Sequence, residues 1–184
     1  MGVFRLRTVN RELRTAFPRT VFLAVSCMAT LCFAASRAVP PAQPKADHIL
    51  VLKSERKLIL MRDGKPLKTY KVSLGGEPVG AKTRRGDHKT PEGTYTIDRR
   101  NLHSQYHKSL HVSYPSAADA ANARKLRASP GGDIMIHGLP NGMGWVGSNH
   151  LLRDWTDGCI AVTDQEIEEI WKLVPDGTPI EIKP

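Results

Sequence analysis

A chain of 184 residues is about one ordinary domain, long enough to bury a core without disulfide staples. Its formal net charge of +9 is unevenly placed: six arginines against Glu12 fall in residues 1–38, which leaves 21 basic and 17 acidic residues, or +4, for the rest. That residue balance, with no aromatic-basic platform and no recognition-helix pattern, excludes a nucleic-acid module.

The first 38 residues read as a signal peptide or an N-terminal membrane anchor. A basic region ends at Arg19, and an apolar stretch runs from Val21 to Ala35. That stretch suits the core of a signal peptide and is short for a membrane span, which needs roughly 20 apolar residues. Ser36 and Ala38 place a cleavage point after Ala38. The folded part is therefore expected outside the cytoplasmic membrane, in the periplasm or cell envelope, touching a membrane only through an uncleaved N-terminus. Cys27 and Cys32 fall within this segment, so the mature chain keeps one thiol, Cys159. A lone cysteine in an oxidising compartment is an inert small hydrophobe, an intermolecular partner or a working nucleophile.

Residues 39–46 are a Pro-rich linker, and residues 47–184 form the domain. His48–Lys53 is a short apolar run, read as a strand buried on both faces. Lys57–Met61 is the next strand, and Asp63-Gly64 signals a hairpin turn. Lys68–Leu74 alternates, with Tyr70, Val72 and Leu74 on one face. Gly75–Gly93 breaks the pattern as a long Gly- and charge-rich loop, expected to cover substrate; its last four residues, Thr90-Pro91-Glu92-Gly93, fit a type I turn. Thr94–Asp98 and Leu110–Tyr114 resume as strands. Ser116 caps a helix that ends before Pro130. Asp133–His137 is a strand, and a short apolar run follows Cys159. Thr163 and Glu166 open a second helix as a capping box, with Ile167, Ile170, Trp171 and Val174 as its buried stripe. Thr178–Lys183 closes the chain as a strand. About eight short strands and two helices predict a mainly β, mostly antiparallel fold, sandwich- or barrel-like, with one or two packed helices.

The chemistry concentrates between Ile134 and Val162. His137-Gly138 ends one apolar run, and Asp157-Gly158-Cys159 opens another, 22 positions on. On neighbouring strands, the two side chains would share a cleft floor. A thiol attacks a carbonyl as thiolate, and a nearby imidazole takes its proton and later protonates a leaving amine. An ionised sulfur is the expectation. Gly158 permits a tight turn, and the N–H groups of Gly158 and Cys159 are placed to hold an oxyanion. Asp157 either orients His137 or simply makes the turn. Arg153 is a candidate to hold a carboxylate or a solvated surface charge. Trp145 and Trp155 line the cleft or plug the core beneath the loop. His137, His150 and Cys159 match no compact zinc spacing, so neither metal nor cofactor is expected.

These motifs resemble the L,D-transpeptidase catalytic domain, the YkuD-like family, in a divergent branch. The resemblance rests on His137-Gly138 and Thr156-Asp157-Gly158-Cys159-Ile160. It is extended by Gly86-Asp87, Thr90-Pro91-Glu92-Gly93-Thr94-Tyr95 and Ser113-Tyr114-Pro115. It implies a cysteine acyltransferase on peptidoglycan stem peptides. Cys159 would attack the third stem residue and expel the terminal D-alanine. His137 would be the proton donor and acceptor, and Gly138, Thr156, Arg153 and Trp155 would flank the substrate. Carbapenem-type β-lactams would acylate the same thiol. Asp157 stands where many members have histidine, and Ala161 where many have arginine or asparagine. The branch it resembles includes members that hydrolyse peptidoglycan links, so water is the alternative acceptor. A cell-wall binding domain without catalysis is the third reading.

Overall fold

The computed structural model describes residues 43–184. The expected export segment and the first part of the linker lie outside the described residues.

Eight strands form one sheet: β1 His48–Leu52, β2 Lys57–Arg62, β3 Lys65–Lys71, β4 Gly93–Asn101, β5 Ser109–Val112, β6 Met135–His137, β7 Ile160–Ala161 and β8 Pro179–Lys183. The helices among the described residues are α1 Ala117–Lys125 and α2 Asp164–Leu173, and a 3-10 segment spans Gly144–Leu152. The sheet order is β3-β2-β1-β8-β4-β5-β6-β7. Most pairings are antiparallel, as expected, but β1–β8 and β6–β7 are parallel. The second of these sets the site, because the short parallel pair lays Ile136 beside Ile160 and His137 beside Ala161, which leaves Cys159, one residue before β7, close to the end of β6.

The two sheet edges meet. Just past β3, Ser73 exchanges reciprocal backbone hydrogen bonds with Ala161 of β7 (3.0 and 2.8 Å), and Gly75 bridges Thr156. The result is a half-barrel, in which the open edge strands of a flat sheet are closed off.

The β2–β3 turn follows its sequence. Asp63 and Gly64 both take positive φ (51° and 71°), the conformation that a two-residue primed turn demands. Strand β1 departs from expectation. Ile49 and Val51 are fully buried, while His48, Leu50 and Leu52 are only partly covered, so one face rather than two meets the core. Thr90–Gly93 makes no turn either. Its groups are engaged elsewhere: the Thr90 carbonyl accepts from Lys53 Nζ (3.0 Å), and its hydroxyl accepts from the Gly75 N–H (3.0 Å).

Both helices begin with complete capping boxes, Ser116 with Asp119 and Thr163 with Glu166. Each N-cap contributes on the order of 1 kcal/mol. Helix α2 buries Ile167, Ile170 and Leu173, with Val174 following. Leu173 joins the stripe, and Trp171 packs against the same core only partly buried, with its ring under Arg100 (4.9 Å) and Lys108 (5.5 Å). Each fully buried aliphatic side chain contributes roughly 1.5–3 kcal/mol, which makes this stripe the main anchor of α2 on the sheet. Helix α2 then fixes β6 from behind: Asp164 Oδ1 accepts the Leu139 N–H (2.8 Å), just past the strand's end.

Candidate active site

Register sets the thiol and the imidazole on one face. Ile136 pairs with Ile160, and both point into the core. Side chains alternate along a strand, so Met135, His137, Cys159 and Ala161 share the opposite face, and His137 lies diagonally across from Cys159. On the other side of β6, Ser109 pairs with His137 and adds its side chain to that face. His137 and Cys159 line one open cleft of about 230 Å³, with Tyr106, Ser109, Asp133 and Met135.

His137 is buried and held from three sides. Its Nδ1 lies 2.6 Å from the Gly138 carbonyl oxygen. A carbonyl only accepts, so Nδ1 carries the proton and Nε2 keeps its lone pair. The Tyr106 ring stacks at a tilt on the imidazole (4.3 Å between centroids), and Trp155 meets it edge-on (5.9 Å). Burial pushes the imidazole down to about 4, against the hydrogen bond to Gly138, which favours the protonated form.

Cys159 is partly exposed. Its thiol donates to the Asp133 carbonyl oxygen (3.5 Å) rather than to the imidazole. Burial pushes the thiol up to about 11; the Met135 backbone donor opposes this, and the Asp157 and Asp133 carboxylates add to it. The expectation of an ionised sulfur is therefore corrected. The resting pair is a neutral thiol beside a neutral imidazole, because a low-dielectric site flanked by two carboxylates favours the uncharged sulfur.

The turn before Cys159 is tied by Thr156. Its hydroxyl donates to the Cys159 carbonyl (2.7 Å) and accepts the Gly158 N–H (3.1 Å). This corrects two expectations. Thr156 is a buried turn brace rather than a substrate contact, and the Gly158 N–H is spoken for. Among the described residues the Cys159 N–H has no such partner and is the remaining backbone donor for an oxyanion. Gly158 is required for another reason. Its φ is +127°, and a Cβ there would lie 2.5 Å from the Lys89 carbonyl oxygen. Asp157 does not reach His137; its carboxylate pairs with His88 Nδ1 (2.7 Å) in solvent. The orienting role falls to the Gly138 carbonyl. Gly138 itself is buried, with Asp164 and Ile167 too close to admit a side chain, so it acts through its backbone.

Arg153 and Trp155 line a neighbouring cavity rather than the Cys159 cleft, with His150. Trp145 is exposed. Residues that the sequence reading missed include Tyr106 and the loop beside it, which carries Ser104 and Gln105 into the cleft wall. No periodicity marks that loop; a lone aromatic among His103, His107 and Lys108 was the available hint. The long Gly75–Gly93 loop is pinned by Asp87. Its carboxylate accepts from Lys82 Nζ (2.7 Å) and from the N–H groups of Thr83, Arg84 and Lys89, which holds it down at about 2 although burial opposes this. The loop's Lys82, Arg85 and His88 border a polar cleft that shares Asp133 with the thiol's cleft and also takes in Asp157. Among the described residues no cluster of three histidine, cysteine or acidic side chains could hold a metal ion.

A half-barrel that places a glycine-flanked cysteine and a carbonyl-oriented histidine on one face of a parallel strand pair defines a class. The L,D-transpeptidase catalytic domain model (YkuD) matches residues 46–182, and the chain belongs to that family. Over 133 residues it is 32% identical to YafK of Escherichia coli (strain K12), provisionally named an L,D-transpeptidase; the match covers 69% of this chain and 46% of YafK. The chain thus spans about half the length of the curated relatives it matches. Among solved structures it resembles the helical cell shape determining protein Pgp2 of Campylobacter jejuni, with a TM-score of 0.58 and 24% identity over 77% of this chain and 48% of that one. It also resembles Bd1075 of Bdellovibrio bacteriovorus, with a TM-score of 0.53 and 25% identity over 76% and 48%.

Proposed function

We propose that the chain is an exported cysteine acyltransferase acting on peptidoglycan stem peptides through a thioester at Cys159. One observation carries the reading: Cys159 and His137 line a single cleft, and the imidazole is fixed with its unprotonated nitrogen, Nε2, free.

Because the resting pair is neutral, the proton moves during attack and not before it. Sγ adds to the carbonyl carbon of the third stem residue as Nε2 takes the thiol proton. The Cys159 N–H donates to the developing oxyanion. The bond to the terminal D-alanine breaks, and the imidazolium returns its proton to the leaving amine. An amine of a second stem then attacks the thioester, gives its proton to Nε2, and releases Cys159 as the thiol. Water in place of that amine would give the shortened stem alone. A carbapenem-type β-lactam would meet the same sulfur, which would open its ring and retain it as a thioester.

Incubating the protein with tetrapeptide stems and weighing the products tests the reading. Cross-linked stems with loss of D-alanine are expected; a shortened stem alone reassigns the acceptor to water, and unchanged stems refute the activity. Export rests on residues 1–38. Recovery of the full chain in the cytoplasmic fraction would refute it.

A further inference from the structure

Basic charge gathers on one surface that the mechanism does not use. Residues 79–86 of the long loop and residues 120–132, from within α1 to the approach to β6, hold Lys82, Arg84, Arg85, Arg124, Lys125 and Arg127 and no acidic residue. The remainder of residues 39–184 carries 15 basic and 17 acidic residues, or −2. The fold lays the two segments side by side: the Arg85 N–H donates to the Ser129 carbonyl (2.7 Å), and a Cβ on Gly131 would lie 3.5 Å from the Arg85 Cα. Lys82 is buried against Asp87. Arg84, Arg85, Arg124, Lys125 and Arg127 are exposed, and none forms an ion pair among the described residues.

Helix polarity accounts for part of this. Arg124 and Lys125 stand in the last turn of α1, where unpaired carbonyls favour cations. It does not account for Arg127 beyond the helix, or for Arg84 and Arg85, which come from another element. Like charges gathered without counter-ions repel, and an anionic partner relieves the repulsion. Two features fit a lipid surface. Four of the five free cations are arginines, whose planar forks match phosphate oxygens two at a time. Leu126, between Lys125 and Arg127, is 58% exposed, an apolar side chain placed to enter among headgroups.

We infer that this surface docks on an anionic phospholipid membrane. Arg84, Arg85, Arg124, Lys125 and Arg127 hold the headgroup phosphates, and Leu126 enters between them. The contact is separate from any that residues 1–38 make, and it stands without the acyl-transfer reading. Arg85 also borders the polar cleft that shares Asp133 with the thiol's cleft, so the docked surface adjoins the Cys159 site.

The test uses the full chain with vesicles of phosphatidylcholine, alone or mixed with phosphatidylglycerol. Lysines are acetylated with a water-soluble reagent, and each is read from its peptide mass. Reading single residues separates this surface from the basic N-terminus, which carries its own attraction to vesicles. Each basic side chain near an anionic surface strengthens binding about fivefold, so Lys125 should label about fivefold or more slowly when phosphatidylglycerol is present. Lys65 and Lys71, exposed on β3, should label equally on both vesicles. Replacing Arg84 and Arg85 together with Gln should raise the lipid needed to half-protect Lys125 by about fivefold or more. Leu126→Asn should raise it about threefold. In 1 M salt, where the Debye length is about 3 Å, protection of Lys125 should vanish. Unchanged labelling of Lys125, equal protection of Lys65 and Lys71, or full protection in the arginine double variant overturns the inference. So does full protection in Leu126→Asn, which would mean that charge acts alone and would point to a soluble anionic polymer. Acyl transfer plays no part in this readout, so the two claims fail separately.

Discussion

Thiol reactivity separates a neutral resting pair from a preformed ion pair. With the thiol at about 11, its ionised fraction at pH 7.5 is about 0.03%, against about 9% for an unperturbed cysteine near 8.5. That ratio of about 300 is partly offset, because a more basic thiolate is the better nucleophile. With a Brønsted slope of about 0.45, the 2.5-unit difference returns a factor of about 13. Cys159 in the native chain should therefore exchange with an aromatic disulfide about 25-fold more slowly than the same cysteine in the denatured chain. The rate is read from the mass of the Cys159 peptide, so that Cys27 and Cys32 do not interfere. Between pH 6 and 9 it should rise about tenfold per pH unit without a plateau. Replacing Asp157 with Asn removes one carboxylate from the sulfur and should speed native exchange roughly threefold at fixed pH. A rate independent of pH between 6 and 8 and faster than the denatured chain would refute the reasoning, because it would mean that the thiolate is already present.

The base sets a second pH limit. His137 must be unprotonated to accept, and its value near 4 means that the acid limb of kcat/KM should fall near pH 4 rather than 6.5; a limb at 6.5 in a pH–rate profile would contradict this. His137→Ala should lower turnover by about 10²–10⁴ while leaving the thermal midpoint close to that of the parent. The depressed Asp87 carboxylate contributes stability above its unfolded value of 3.8 that is lost as pH falls toward 2, on the order of 2 kcal/mol in denaturant titrations; equal stability at pH 5 and pH 2 would refute the role of the Lys82–Asp87 pair. Thr156→Val should cost about 1–3 kcal/mol by the same titrations, since it strips two hydrogen bonds from the turn under Cys159; an unchanged midpoint would show that the brace is dispensable.

Much of the fold was legible because local chemistry and tertiary structure agree. The Asp63-Gly64 hairpin, both capping boxes and the alternation at Tyr70, Val72 and Leu74 each follow from rules that act within a few residues. That His137 and Cys159 line one cleft was legible from spacing and flanking glycines; that the thiol hydrogen-bonds to Asp133 and not to the imidazole was not. What escaped depends on distant partners. Thr90–Gly93 has turn composition, yet the buried Lys53 ties up its Thr90 carbonyl and Glu92 carboxylate and no turn forms. The parallel β6–β7 pairing depends on a crossover that no short window contains. Asp157 sits next to the site in sequence but turns outward to His88, while Tyr106, 31 positions before His137, stacks on it. The thiol's protonation state depends on burial and on two carboxylates, one of them brought in from Asp133, which no spacing rule reports.

The central claim is tested most directly by intact-mass measurement of the protein quenched within milliseconds of mixing with a tetrapeptide stem. The account predicts a covalent adduct equal in mass to the stem minus D-alanine, mapped to Cys159. The adduct should form far more slowly in His137→Ala and be absent in Cys159→Ala. Stem turnover that persists in Cys159→Ala, or an adduct mapped to any other residue, would contradict it.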